Sequence, residues 1–306
     1  MSTSLTLSNG VVMPTVGLGT WKSKTNEVRD AVYEAIRAGY RHIDAAWIYQ
    51  NQDEVGEGIQ KAISEGIVTR GDLFVTTKLW NDKHKREDVE PHLRDSLKQL
   101  KLDYVDLYLI HWPVTDQVGE TLTPTIEETW GGMEAIYEKG LAKAIGVSNF
   151  SISKLTAMKS YAKVFPMANQ VELHPYCRQD DLVAECKKLG VALTAYCPLG
   201  SPDSAIMFNK ESIKLLEHPV VTAVAKETGR TAGQVLIRWA VQRGTIVIPK
   251  SVTPSRIVQN LDVYSFDLTS EQMANLSSIS EQKRACDGSF WVNPAGPYRS
   301  MEELWA

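Results

Sequence analysis

Four ionisable side chains leave the ends of three consecutive apolar runs. Asp44 follows Arg41-His42-Ile43, with Tyr49 five residues later; Lys78 follows Phe74-Val75-Thr76-Thr77; His111 follows Tyr108-Leu109-Ile110. Taken singly, each has an ordinary structural use: an aspartate caps a turn, a lysine reaches for water, a histidine satisfies a buried hydrogen bond. Taken together they read differently, because a lysine after an apolar run is uncommon without a partner. A phenol ionises near pH 10, too high for an efficient acid–base group near neutrality. An ammonium beside it favours the phenolate. At ~4 Å and an effective dielectric of ~20 that attraction is about 4 kcal/mol, a ceiling of roughly three pKa units. The expectation is that Lys78 lowers the pKa of Tyr49, that Asp44 holds Lys78 charged, and that His111 donates a hydrogen bond to a carbonyl oxygen. Such a set protonates a carbonyl. It holds no hydride, so a cofactor must bring one.

Other positions suit a nicotinamide cofactor. Ser148-Asn149 and Gln170 end two further runs and offer hydroxyl and amide groups to a carboxamide. Tyr196 ends another and offers a flat face for stacking. Lys250 and Arg256 flank an expected helix N-terminus, where backbone N–H groups and positive charge bind phosphate. With the hydroxyls of Ser251 and Thr253 they favour a 2′-phosphate, hence NADPH over NADH. Trp21, Trp47, Trp80 and Trp112 all stand just past strand ends, an aromatic wall for a small carbonyl substrate that also excludes water. Gly17-Leu18-Gly19 lacks the third glycine of a dinucleotide fingerprint, with Lys22 in its place, so a Rossmann site is not read here.

These residues need a scaffold that brings strand ends to one mouth. The chain alternates short β-branched runs with amphipathic stretches. Strands are expected at 16–20, 41–44, 73–77, 105–110, 142–147, 167–171, 191–196 and 245–249. Helices are expected to follow from residue 28 to a stop at Gly39, then at 55–63, 89–100, 126–138, 152–161, 181–189, 220–228, 232–243, 255–260 and 270–279. A longer loop, 198–215, breaks the rhythm. Eight such units favour a closed (β/α)8 barrel over an open doubly wound sheet. An N-terminal hairpin, 5–7 with 11–13 about Ser8-Asn9-Gly10, would plug the closed end. No Pro/Gly/Ser linker divides residues 1–306, so one domain is expected.

Composition narrows the classes. The chain has 306 residues and a formal charge of −4, which gives no global attraction to nucleic acid or to an anionic membrane. No apolar run is long enough to span a bilayer. The start lacks a secretory signal. Four cysteines without a CxxC pair suggest reduced thiols in a cytoplasmic protein, and no metal site is read.

The sequence resembles the aldo-keto reductase superfamily, on its aldose-reductase side, in several ordered motifs. They include Gly17-Leu18-Gly19-Thr20-Trp21, Gly39-Tyr40-Arg41-His42-Ile43-Asp44, Thr77-Lys78-Leu79-Trp80 and Leu107-Tyr108-Leu109-Ile110-His111-Trp112-Pro113. Further on stand Ile145-Gly146-Val147-Ser148-Asn149-Phe150, Asn169-Gln170 with His174-Pro175-Tyr176, and Ile248-Pro249-Lys250-Ser251. The resemblance implies an α/β fold, a (β/α)8 TIM barrel with the hairpin plug and a C-terminal tail that forms the substrate loop. It implies NADPH-dependent reduction of aldehydes or aldoses, and of some ketones, with Asp44, Tyr49, Lys78 and His111 as the catalytic set and Tyr49 as proton donor. By motif match, Thr20, Trp21, Asp44, Ser148, Asn149, Gln170, Tyr196, Leu199, Ser201, Lys250, Ser251, Thr253, Arg256 and Asn260 would contact the cofactor. Trp291, in the tail, would join Trp21, Trp47, Trp80, His111 and Trp112 around the substrate. Two positions depart from the pattern: Trp47 stands where histidine is frequent, and Gln259 where glutamate is. A cytoplasmic monomer is expected.

Two rival readings start from the same residues. Lys78 in a barrel could form a Schiff base, though its carboxylate partner opposes the depressed pKa such a lysine needs. The fold could also serve a non-catalytic, structural or binding role.

Overall fold

The computed structural model describes residues 3–116, 119–201 and 214–306. Strands β1 (Ser4–Thr6) and β2 (Val12–Pro14) form the antiparallel hairpin, with Leu5 opposite Met13. Leu7 and Met13 pack on Phe74, Leu107, Met167, Ala192 and Ile246, residues at the starts of the barrel strands. The hairpin therefore closes the end of the barrel opposite the catalytic mouth.

Eight parallel strands follow: β3 (Leu18–Gly19), β4 (His42–Asp44), β5 (Phe74–Leu79), β6 (Leu107–Ile110), β7 (Ile145–Ser148), β8 (Ala168–Glu172), β9 (Ala192–Tyr196) and β10 (Ile246–Val247). From β4 to β9 every strand residue is buried except the last, Tyr196, as expected when helices cover one face and a packed lumen the other. The last strand meets the first and closes the barrel. Gly17 N–H donates to Val247 O at 2.8 Å, Val247 N–H to Thr15 O at 2.8 Å, and Gly19 N–H to Pro249 O at 3.1 Å. At this seam β3 and β10 are shorter than the sequence suggested. Pro249 carries no N–H to extend the ladder. Gly19 lies so close to Ile248 that an added Cβ would sit 2.7 Å from its carbonyl oxygen.

The helices are α1 (Glu27–Ala38), α2 (Gln52–Ser64), α3 (Arg86–Leu100), α4 (Ile126–Glu138), α5 (Ile152–Met158), α6 (Asp180–Leu189), α7 (Pro219–Thr228), α8 (Ala232–Gln242), α9 (Pro254–Leu261), α10 (Ser270–Ser277) and α11 (Met301–Trp305). Their starts are written in the chain. Thr125 with Glu128, Thr231 with Gln234, and Thr269 with Gln272 each form a reciprocal capping box. Gly39, at φ 108°, stops α1 and returns its N–H to Ala35 O and Ile36 O. Two expectations need correcting. Helix α5 ends at Met158, and residues 159–161 continue as a tighter turn in which each N–H reaches three residues back. Helix α10 likewise ends at Ser277, two residues before its expected stop, and the tail beyond it ends in α11. Most of the long loop 198–215 lies outside the described residues. Among the described residues no helix is long and apolar enough to cross a membrane.

Candidate active site

The strand ends bring Asp44, Tyr49, Lys78 and His111 together. Asp44 ends β4 and Lys78 lies in β5, the neighbouring strand; both are essentially fully buried. Tyr49 is held by a single turn of 3-10 helix, Trp47–Tyr49, whose closing bonds run from Tyr49 N–H to Ala46 O and from Gln50 N–H to Trp47 O. Gln50 can end that turn because it adopts φ 55°.

Lys78 uses its ammonium fully. Its Nζ donates to Asp44 Oδ1 at 2.6 Å, to Ala45 O at 2.9 Å and to the Tyr49 hydroxyl oxygen at 3.5 Å. Three N–H bonds meet three oxygens, which matches a charged lysine. The other oxygen of Asp44 accepts from Gln170 Nε2 at 2.7 Å. Burial pulls the Lys78 ammonium below its ordinary pKa, and Asp44 works against that pull.

The electrostatics of Tyr49 differ from the sequence expectation. Burial first, then the negative charge of Asp44, hold its phenol well above the ordinary value. Lys78 does not offset them, its ammonium being taken up by Asp44 at 2.6 Å. Tyr49 therefore stays protonated at neutral pH. His111 is held well below the ordinary imidazole value by burial and by the Lys78 charge, so its ring is neutral. That ring meets Tyr49 edge-on at 5.8 Å and Trp80 edge-on at 5.2 Å. Among the described residues its Nδ1 has no hydrogen-bond partner.

Around this centre the expected cofactor residues fall in three groups. Thr20, Ser148, Asn149 and Gln170 are buried at the mouth. Thr20 Oγ1 donates to Asp44 O at 2.9 Å, and Ser148 Oγ to Gln170 O at 2.7 Å. Asn149, at φ 64°, donates to His111 O and accepts from the Tyr196 hydroxyl at 2.8 Å. Tyr196 is thus oriented with its ring half-exposed. Leu199, on the loop after β9, and Asn260, on α9, both approach Gly233 within 4 Å of where a Cβ would stand. Ser201, two residues after Leu199, adopts φ 42°. Lys250 and Arg256 are exposed beside the start of α9. Thr253 caps that helix without a side-chain bond, its own N–H going to Ser251 Oγ at 3.1 Å.

Four of the five tryptophans expected around the substrate stand beside the candidate catalytic groups or cluster with one that does. Trp21 lies 6.5 Å from Tyr49. Trp80, Trp112 and Trp291 form one cluster, with Trp291 5.9 Å from Trp80 and 6.3 Å from Trp112. Trp47 is the exception. Its indole N–H donates to Asp95 at 2.7 Å and its ring tilts against His92 at 5.1 Å, both on α3. There it braces the turn that carries Tyr49. The carboxylate on α3 draws its polar edge away.

Sequence reasoning missed Asn51 and Glu172. Asn51 Nδ2 donates to Thr20 O at 3.0 Å and ties the first strand's loop to the loop of Tyr49. Glu172, buried two residues beyond Gln170, faces the same side of β8; that period-two spacing was the available signal.

The known proteins this chain is similar to agree with that geometry. The sequence pattern of the Aldo/keto reductase family matches residues 15–281. Aldo-keto reductase family 1 member A1 of Gallus gallus is 46% identical over 94% of this chain and 91% of its own length. An aldo/keto reductase of Synechocystis sp. is 44% identical over 98% of this chain and 95% of its own. Among solved structures, a Bombyx mori aldo-keto reductase in complex with NADP superposes with a TM-score of 0.87 at 43% identity, over 94% of this chain and 96% of that one. Another aldo-keto reductase, complexed with NADPH, gives 0.87 at 37% identity over 97% and 92%. With eight strands closed into a barrel and four ionisable groups converging at its mouth, the chain belongs to the aldo/keto reductase family.

Proposed function

We propose that this protein reduces aldehydes and aldoses, and some ketones, to alcohols with NADPH, and that Tyr49 gives the proton. The observation that carries the reading is the three-way engagement of Lys78. Because the ammonium donates to the Tyr49 oxygen, the Tyr49 O–H is left to donate elsewhere. A substrate oxygen at the mouth is its acceptor. As the phenolate forms, the same Lys78 hydrogen bond becomes charge-assisted and stabilises it. His111, neutral, supplies one ring N–H to orient the carbonyl. Asp44 keeps Lys78 in place.

The residues present fit the cofactor. Ser148, Asn149 and Gln170 are a buried polar set beside a half-exposed tyrosine ring. The α9 N-terminus has no side-chain cap, and the exposed Lys250 and Arg256 stand beside it. When bound, NADPH supplies the hydride. The mouth residues hold its nicotinamide, and Lys250, Ser251, Thr253 and Arg256 hold its 2′-phosphate. Leu199, Ser201 and Asn260 line the path between. The whole chain acts as one domain, a cytoplasmic monomer. The Schiff-base reading is disfavoured by the burial of Lys78 and by its three engaged N–H bonds. A kinetic panel of aldoses, aliphatic and aromatic aldehydes and ketones with each cofactor tests the proposal. No turnover of any carbonyl with NADPH would refute it.

Two expected results follow from the geometry. The rate of reduction should be flat from about pH 6.5 to 9. Tyr49 keeps its proton until pH rises beyond the ordinary phenol range of ~10, and His111 is neutral everywhere above the ordinary imidazole value of ~6.5. A kcat/KM that falls with a midpoint near pH 7–8 would contradict both assignments. For Arg256→Ala, NADPH binding should weaken while NADH binding changes little. One charged hydrogen bond is worth about 1.5–3 kcal/mol, roughly ten- to 150-fold. The exposure of Arg256 places the effect at the lower end. Fluorescence titration reads both affinities, and equal weakening would move Arg256 to a shared part of the cofactor.

A further inference from the structure

Beyond the catalytic set, one buried carboxylate has a conspicuous set of partners. Glu172 ends β8 opposite Tyr196 of β9 and is fully buried. Its Oε1 accepts from His174 Nε2 at 2.7 Å and from the backbone N–H of Ala285 at 2.6 Å; its Oε2 accepts from the backbone N–H of Cys286 at 2.7 Å. Two successive N–H groups of the tail thus converge on one carboxylate, the arrangement in which a backbone concavity holds an anion. Ala285 and Cys286 are themselves buried, so without Glu172 their N–H groups would have no acceptor there.

The grip sits where the tail turns towards the mouth. Just before it, Lys283 N–H donates to Tyr176 O at 2.6 Å, and Arg284 donates to Gln179 at 3.0 Å. Just after it, Gly288 packs so tightly on Leu304 and Trp112 that an added Cβ would stand 2.7 Å and 3.1 Å from them. Trp291 then takes its place against Trp80 and Trp112. From the carboxylate to the substrate wall is a run of six residues, 286–291. Burial opposes the charge on Glu172, yet the bonds from His174, Ala285 and Cys286 hold its carboxyl below the usual range.

We infer that Glu172 is a positioning residue: by holding the Ala285 and Cys286 N–H groups it sets where Trp291 stands, and so which carbonyl substrates the mouth accepts. The inference rests on the proposed reduction. It adds a specificity determinant outside the catalytic set, on a strand and not on the tail itself.

Glu172→Gln keeps the shape and removes one acceptor. Either orientation of the amide turns its NH2 towards one of the two tail N–H groups, donor against donor. In the variant, hydrogen exchange at Ala285 and Cys286 should speed by roughly ten-fold or more, the loss of one charged hydrogen bond. KM for an aromatic aldehyde should rise roughly ten-fold, the effect of a poorly fitted apolar pocket. KM for a three-carbon aldehyde should stay within about two-fold, and kcat for both should hold, because binding and not chemistry is altered. Trp291→Ala should raise the same KM, and the double variant should be no worse than the poorer single one. Unchanged exchange in Glu172→Gln, equal changes for both aldehydes, or additive effects with Trp291→Ala would each overturn the inference. If Glu172→Gln does not fold, wild-type exchange still decides: Ala285 and Cys286 must be protected well beyond the exposed tail amides. A wild type that reduces neither aldehyde overturns the proposed function itself, and the exchange result separates that failure from failure of the grip.

Discussion

Tyr49→Phe should reduce turnover by roughly 10²- to 10⁴-fold while leaving NADPH affinity within about a few-fold, the range expected when a general acid is removed. The ring would still fill its place beside His111, at 5.8 Å, and Trp21, at 6.5 Å. What is lost is one oxygen, with two tasks. It accepts the third N–H of Lys78 and it carries the proton that is transferred in the proposed mechanism. Steady-state rates with a saturating aldehyde, alongside fluorescence titration of cofactor, separate the two quantities. Turnover above about a tenth of wild type would remove Tyr49 from the role of acid.

Lys78→Met should act on both chemistry and stability. Methionine fills much of the same volume but leaves Asp44, 2% exposed, without its cation. Breaking a buried ion pair from one side costs about 3–5 kcal/mol. Gln170 still donates to Asp44 Oδ2, which places the expected loss towards the lower end of that range. Activity near neutral pH should fall with it, since the phenolate of Tyr49 would form without a charged donor. Urea unfolding and turnover at pH 7 read the two effects. A variant as stable as wild type would mean that Asp44 finds another donor. In the wild type, borohydride with a carbonyl substrate should leave no covalent adduct at Lys78; an adduct would revive the Schiff-base alternative.

The convergence of the candidate catalytic set was readable because three of its members stand at or beside the ends of strands, where apolar runs stop. The barrel was readable for a related reason: buried parallel strands are apolar throughout, and amphipathic helices with capping boxes announce their own starts. What escaped depends on contacts between residues far apart in the chain. Trp47 looks like a mouth residue by position, yet Asp95 on α3 turns its indole away. The field at Tyr49 required the Asp44–Lys78 distance, which decides whether the ammonium acts as a free charge or as half of a neutral pair. Glu172 was hidden because its value lies in the tail, more than 100 residues on. The seam of the barrel was predicted too long, since Pro249 interrupts a ladder that hydrophobicity alone would extend.

That seam bears on how the chain is made. Val247 pairs with Val16, so the first barrel strand waits for the last. During synthesis, at ~5–20 residues per second, the first seven barrel strands emerge with their partner for β3 still inside the ribosome. Until β10 appears, the sheet is an open curl with two unsatisfied edges, the kind of surface that pairs with a neighbouring chain. The β9 edge, five residues, is covered as soon as β10 follows it; the β3 edge, exposed longest, is two residues, with Gly17 and Gly19 along it. Glycine is a poor template for a foreign strand. The brevity that makes the closing ladder weak in the finished barrel also makes the half-made barrel a poor partner for its neighbours on the same message.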